Sequence, residues 1–165
     1  MLSEILSQET CGKCRFCCSF RRKSLWEVPL FPPRYTERPD FQQDTVQGAA
    51  CARMNLIDRY QTDDPEEEVP CLFLHRPEGC TLLPEEKPME CKLWPIRVMK
   101  TDDGALVLAL SPSCPAVRQI PIDKVQTLAS SFASEVWDYA DANPYMIKPF
   151  VQGYPVLVRR NPTKG

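Results

Sequence analysis

Four cysteines fall within eight residues, Cys11-Gly-Lys-Cys14-Arg-Phe-Cys17-Cys18, and five more, Cys51, Cys71, Cys80, Cys91 and Cys114, are spread through the middle of the chain. Thiols packed that densely repel one another when ionised and oxidise when neutral. A metal resolves both problems by holding them deprotonated around a common centre. The spacing narrows the chemistry. Cys11, Cys14 and Cys17, each separated by two residues, can wrap one side of a [4Fe–4S] cluster, with a distant cysteine closing the site. Cys114-Pro115 has the local form of such a closing residue, although spacing alone does not single out which cysteine closes it. The same loop also reads as a zinc knuckle, with Cys11 and Cys14 holding half of a tetrahedral site and a remote pair such as Cys71 and Cys80 completing it.

Cys17 and Cys18 are adjacent, so in extended chain their side chains face opposite ways and can serve different sites. Eight cysteines, Cys11, Cys14, Cys17, Cys18, Cys71, Cys80, Cys91 and Cys114, suffice for two four-thiolate sites or for one site with spare thiols. Cys51, among Ala49, Ala50 and Ala52, reads as a small buried apolar residue. A soft, all-thiolate set suits iron–sulfur or zinc and disfavours magnesium and calcium, which take oxygen ligands. The chain's one histidine, His75, lies between Cys71 and Cys80 but reads first as an exposed turn residue.

These residues sit in a chain of 165 residues with a net charge of -2, sufficient for one domain spanning 1–165 with its own core. The charge gives no global attraction to nucleic acid. No apolar run approaches the roughly 20 residues of a membrane span. Residues 1–6 lack the basic start and apolar stretch of a signal peptide. A cytoplasmic location is therefore expected, where cysteines bind metal or do redox chemistry more often than they form disulfides. The odd total of nine cysteines also leaves one thiol over in any fully bridged scheme.

Seventeen prolines cut the chain into short pieces and predict a loop-rich α+β domain with short β-hairpins, a cysteine-ligated metal centre and a C-terminal helix. A short helix is expected over 2–9 and another over 49–60, where Ala50, Met54 and Ile57 share a face. Residues 63–68, Asp-Asp-Pro-Glu-Glu-Glu, predict a solvated, mobile acidic loop. Cys71–Leu74 and Cys80–Leu83 suggest one hairpin; Trp94–Lys100 and Ala105–Ser111, joined through Asp103-Gly104, predict another. The strongest helix starts near Asp123, with Asp123 and Gln126 as a capping pair. Val125, Leu128, Ala129, Phe132, Val136 and Tyr139 form its core stripe, and Asn143-Pro144 ends it. Residues 153–158 predict a final strand.

The loop Cys11-x2-Cys14-x2-Cys17-Cys18 is followed by Cys71-Leu72-Phe73-Leu74, Gly79-Cys80-Thr81-Leu82-Leu83, Lys87-Pro88-x2-Cys91-Lys92 and Trp94-Pro95. Together these segments resemble the YkgJ-like CxxCxxCC family, whose members are described as zinc- or iron-chelating domains. The resemblance covers 11–18 and 71–95, with Cys114 as a further member, and implies metal chelation by the matching cysteines. Lysine stands at 87 and 92 where the family typically carries arginine. Flagellin lysine N-methylases are similar in their cysteine motif, which implies an enzymatic alternative. Yet the chain has no glycine-rich strand–turn–helix of the dinucleotide type.

The leading expectation is a metal-binding protein whose iron–sulfur (4Fe–4S) or zinc centre serves a redox, accessory or structural role. A thiol enzyme using Cys14 or Cys17 is a weaker reading, since no base accompanies them. The basic and aromatic segment 15–26, with Arg21, Arg22, Lys23 and Trp26, could dock a protein partner. Nucleic acid is the disfavoured occupant because the domain as a whole is acidic. A zinc module binding nucleic acid or a partner is the remaining alternative.

Overall fold

Among the described residues, ten short strands and two α-helices are joined by 3-10 turns and loops, and most of the strands pair with a neighbour close in sequence. A computed structural model describes residues 13–14, 16–75 and 78–160. The expected helix over 2–9 lies outside the described residues.

The C-terminal half is a helix on a sheet. Strands β7 (Ile96–Lys100) and β8 (Leu106–Leu110) form the expected hairpin. Gly104 supplies the turn's positive φ of 84°, and its N–H donates to the Thr101 carbonyl. β9 (Lys148–Pro149) joins parallel to β7, and β10 (Val156–Arg160) joins antiparallel to β8, giving the order β10-β8-β7-β9. The strands read as nearly continuous apolar runs because both faces are covered. Ile96, Val98 and Leu108 face the helix, whereas Met99, Val107 and Ala109 pack under Phe150, Val151 and Tyr154.

Helix α2 (Ile122–Ala142) buries Val125, Ala129, Phe132, Ala133, Val136 and Ala140, with Leu128 and Tyr139 half-buried beside them. The capping pair does not form. Pro121 is the N-cap residue, so Asp123 lies inside the first turn, and the Gln126 amide donates instead to the Leu157 carbonyl at 3.1 Å. That bond ties the helix to β10. Asn143 closes the far end, its side-chain amide donating to the Tyr139 carbonyl.

The N-terminal half is built from small pieces. β1 (Ser19–Arg21) pairs with β4 (Glu68–Pro70), and β5 (Leu74–His75) pairs with β6 (Gly79–Cys80). β2 (Phe41–Val46) pairs with β3 (Ala49–Met54) through Gln47 and Gly48, at φ 52° and 77°. The helix expected over 49–60 is thus a strand followed by a single 3-10 turn, Ile57–Arg59. Alanine's helix propensity loses to six paired residues and to an additional bridge, in which Phe31 and Ala52 exchange N–H···O bonds of 2.9 and 2.8 Å. Helix α1 (Met89–Leu93) is one short stretch ahead of β7.

Two main cores meet at β3. Cys51 belongs to the helix–sheet core and its neighbour Ala52 to an aromatic core, because successive residues of a strand face opposite ways. In the aromatic core, the Phe31 ring lies 4.8 Å from Tyr35, 5.0 Å from Phe41 and 5.7 Å from Phe73. Cys51 is fully buried, as its neighbours predict, although on a strand. Among the described residues no helix is long and apolar enough to cross a membrane.

Candidate metal centre

Backbone pairing brings the two cysteine-bearing stretches of the sequence together. The β1–β4 ladder runs from Arg21↔Glu68 to Ser19↔Pro70 and continues as a 2.8 Å bond from the Cys71 N–H to the Cys18 carbonyl. Cys18 ends the 3-10 turn Phe16–Cys18, so that ladder sets it beside Cys71. The chain then turns at Cys71–Leu74, with the Leu74 N–H donating to the Cys71 carbonyl, and the β5–β6 register places Cys80 opposite Leu74. Cys91 arrives from α1.

Five thiols, Cys17, Cys18, Cys71, Cys80 and Cys91, line one cavity of about 170 Å³. Its remaining wall is largely aromatic and apolar, including Phe16, Phe20, Phe31, Phe73 and Trp94, with four charged side chains, Glu27, Lys87, Glu90 and Arg97. Cys18, Cys71, Cys80 and Cys91 are unbridged thiols. They also feel one another. Burial pushes the Cys71 thiol up to about 12, and Cys18 and Cys80 add to that rise. Cys91 is reached by solvent from the cavity yet surrounded by protein atoms. That burial raises it well above the ordinary thiol value, with further contributions from Cys71, Cys18, Glu90 and Cys80. Cys18 moves the other way. The Cys17 thiol, 3.9 Å from it, stabilises its thiolate by hydrogen bonding, and Lys87 assists. Cys71 also donates to the Met54 thioether at 3.9 Å.

The other cysteines lie apart. Cys14 is exposed and Cys114 is buried in the helix–sheet core; neither lines the cavity. Cys11 lies outside the described residues. His75 is exposed and pairs with Glu78 at 2.9 Å, as expected of a turn residue. Among the described residues, no three His, Cys, Asp or Glu side chains stand close enough together, as they lie, to hold a metal ion.

Sequence reasoning passed over the charged group behind the thiols. The side chains of Glu90, Arg97 and Lys148 are only 7%, 6% and 10% exposed. Glu90 Oε1 lies 3.2 Å from Lys148 Nζ and 3.8 Å from Arg97 Nη1, and its Oε2 accepts the Leu30 N–H at 2.7 Å. The Arg97 guanidinium lies over the Trp94 and Trp26 rings, at 4.6 and 5.5 Å from their centroids, and donates to the Glu27 carbonyl. A signal was present: Arg97 interrupts the apolar run Ile96-Arg97-Val98-Met99, and a charge inside a buried strand demands partners.

The acidic stretch 63–68 is largely exposed, as expected, and makes side-chain contacts with the basic segment. Arg21 pairs with Glu68 at 2.9 Å and Glu66 at 3.7 Å, and Lys23 pairs with Glu66. Arg22 stacks over Tyr60 and donates to the Thr62 carbonyl. The Glu67 carboxylate accepts from the Gln61 and Thr62 N–H groups, which lowers its pKa. The chain therefore answers the charges of Arg21, Arg22 and Lys23 itself. No protein-family profile, curated protein sequence or solved structure matches the chain.

Proposed function

We propose that the cavity is the seat of a cysteine-ligated iron–sulfur centre, held by Cys18, Cys71, Cys80 and Cys91 with Cys17 alongside. One observation carries this reading: thiols from four separate segments converge on a single pocket of about 170 Å³. The donor set fits, since soft thiolates take iron–sulfur clusters and zinc. Size favours the cluster. A cavity needs about 10–15 Å³ to admit one water, so this one is roughly tenfold larger than a single small occupant requires. Four sulfurs at about 2.3 Å from one zinc ion lie roughly 3.8 Å apart, and reaching that geometry here would require the cavity to close. A polynuclear cluster fills the space with its ligands further apart. The motif resemblance to zinc- or iron-chelating domains supports metal binding by these cysteines and does not choose between the two. Such a centre, when bound, supplies one-electron transfer or a fixed point for the fold. The chain's own contribution is to hold four thiolates on separate elements and to wall them with aromatic rings that limit water.

One distance favours zinc as the second reading. The Cys17 and Cys18 sulfurs, 3.9 Å apart, already have the spacing of two ligands on one ion. A single experiment separates the two. Protein purified anaerobically and reconstituted with iron and sulfide is expected to be brown, absorb near 400 nm and contain iron and acid-labile sulfide in equal amounts. Stoichiometric zinc with no labile sulfide overturns the cluster in favour of zinc. Protein that retains neither overturns both.

A further inference from the structure

Two cations and one carboxylate are buried together at the back of the thiol pocket, and this imbalance needs an explanation. Glu90 is shared between Arg97 and Lys148. Lys87 adds a positive charge to the pocket wall and Glu27 a negative one. Among the described residues, the fixed charges facing the pocket or standing behind it are thus Lys87, Arg97 and Lys148 against Glu27 and Glu90, an excess of one cation. Arg97 Nε has no hydrogen-bond partner among the described residues, although its side chain is nine-tenths buried. A buried guanidinium with an unused donor and a divided counter-ion is costly unless something anionic completes it.

Two indoles hold the group in place. Trp94 lines the pocket, and both Trp94 and Trp26 contact the guanidinium, so Arg97 cannot swing out to water without breaking both contacts. Arginine keeps its charge at any working pH.

We infer that Arg97 is the charge-setting residue of the centre, a fixed cation that favours the more negative, reduced state of a thiolate-ligated cluster in the adjoining pocket. This rests on the iron–sulfur reading above and goes one step past it. Adding one electron from an external donor makes the cluster and its thiolates one unit more negative, with no bond made or broken. A fixed positive charge in a poorly solvated wall stabilises that added charge directly. Arg97 touches no reacting atom in this scheme and acts through the field it exerts.

The test is a redox titration of reconstituted protein against dithionite, followed by the cluster's visible absorption and by electron paramagnetic resonance. Arg97→Gln is expected to shift the reduction equilibrium at least tenfold toward the oxidised form, which is about 59 mV for a one-electron couple. Arg97→Lys, which keeps the charge, is expected to recover most of that shift. An Arg97→Gln protein that loads less iron but titrates at the wild-type potential makes Arg97 a packing residue and overturns the inference. If Arg97→Gln does not fold, Trp26→Ala at the partly exposed end of the clamp reads the same quantity. Water admitted to the guanidinium screens it and moves the equilibrium in the same direction by about threefold or more, and an unmoved potential is again fatal. Wild-type protein that takes up no iron or sulfide removes the cluster itself and this inference with it. A loaded wild type with indifferent variants removes only the role of Arg97.

Discussion

The two halves of the molecule solve the same problem with different materials. The C-terminal half lays a 21-residue helix on a four-stranded sheet and closes its core with Leu93, Ile96, Val98, Leu108, Val125 and Val136, all essentially without solvent exposure. The N-terminal half has two- to six-residue strands in separate pairs, several 3-10 turns and an aromatic knot of Phe31, Tyr35, Phe41 and Phe73. A two-stranded ribbon is marginal by itself in water, and three separate ones do not add up to a sheet. Regular elements bury a continuous apolar face; short ones leave gaps, and here the gap is lined with sulfur. In the reading proposed above, an inorganic centre does for the first half what the helix does for the second.

The sharpest way to break that comparison is to remove ligands from one half and sulfur from the other. Cys71→Ser and Cys91→Ser are each expected to reduce bound metal to below about a tenth of the wild-type content. They are also expected to loosen the N-terminal half, read as amide exchange at Phe73 and Leu74 accelerated more than about tenfold, with α2 amides unchanged. Cys114→Ser places a hydroxyl in the helix–sheet core and is expected to cost about 1–3 kcal/mol in urea unfolding while leaving metal content intact. Equal metal loss in all three variants would show that Cys114 reaches the centre and that the division into halves is wrong. Leu108→Ala tests the other side. It opens a cavity under α2, is expected to cost about 2–5 kcal/mol, and leaves the metal-to-protein ratio of the folded fraction as it was.

How much of this was legible in the sequence follows the same division. The β7–β8 hairpin and α2 could be read because their signals are local: an Asp-Gly turn between apolar runs, and a stripe at helical spacing. Residues 49–54 could not, since alanine, methionine and cysteine there read as a helix until the non-local partners Phe41–Val46 and Phe31 are in place. Cysteine spacing pointed to a convergence of thiols but not to which of them the fold brings together. Reading the x2-x2 loop as a unit joined Cys14 to Cys17, whereas the β1–β4 ladder selects Cys18 by setting it against Cys71. Cys114-Pro115 resembled a closing ligand, yet its neighbours Val117 and Val125 draw it into the core. Arg97 was not singled out because the groups that meet it, Trp26, Glu27 and Glu90, come from separate segments. The pairing of Arg21 and Lys23 was not legible because the carboxylates that meet them, Glu68 and Glu66, lie more than forty residues away.

The smallest expected effect concerns the seam where the halves meet, and its size distinguishes what holds them. Asp44 and Arg53 pair across the β2–β3 hairpin, with the Arg53 Nε–H donating to Oδ2 at 2.7 Å. That hydrogen bond, with help from the Thr45 N–H, holds the Asp44 carboxyl below its usual range. A depressed carboxylate contributes stability above its unfolded pKa of about 3.9 and loses it as pH falls through the folded value. The pair is about a third exposed, so solvent screening limits its contribution to less than about 1 kcal/mol. Asp44→Asn is therefore expected to lower the urea midpoint slightly at pH 7, and the difference from wild type is expected to vanish near pH 2. A difference that persists at pH 2 would mean that the asparagine disturbs the hairpin itself. A loss of several kcal/mol at pH 7 would mean that charge, rather than the pairing of β2 with β3 and the burial of Cys51 and Ala52 on its two faces, joins one half to the other.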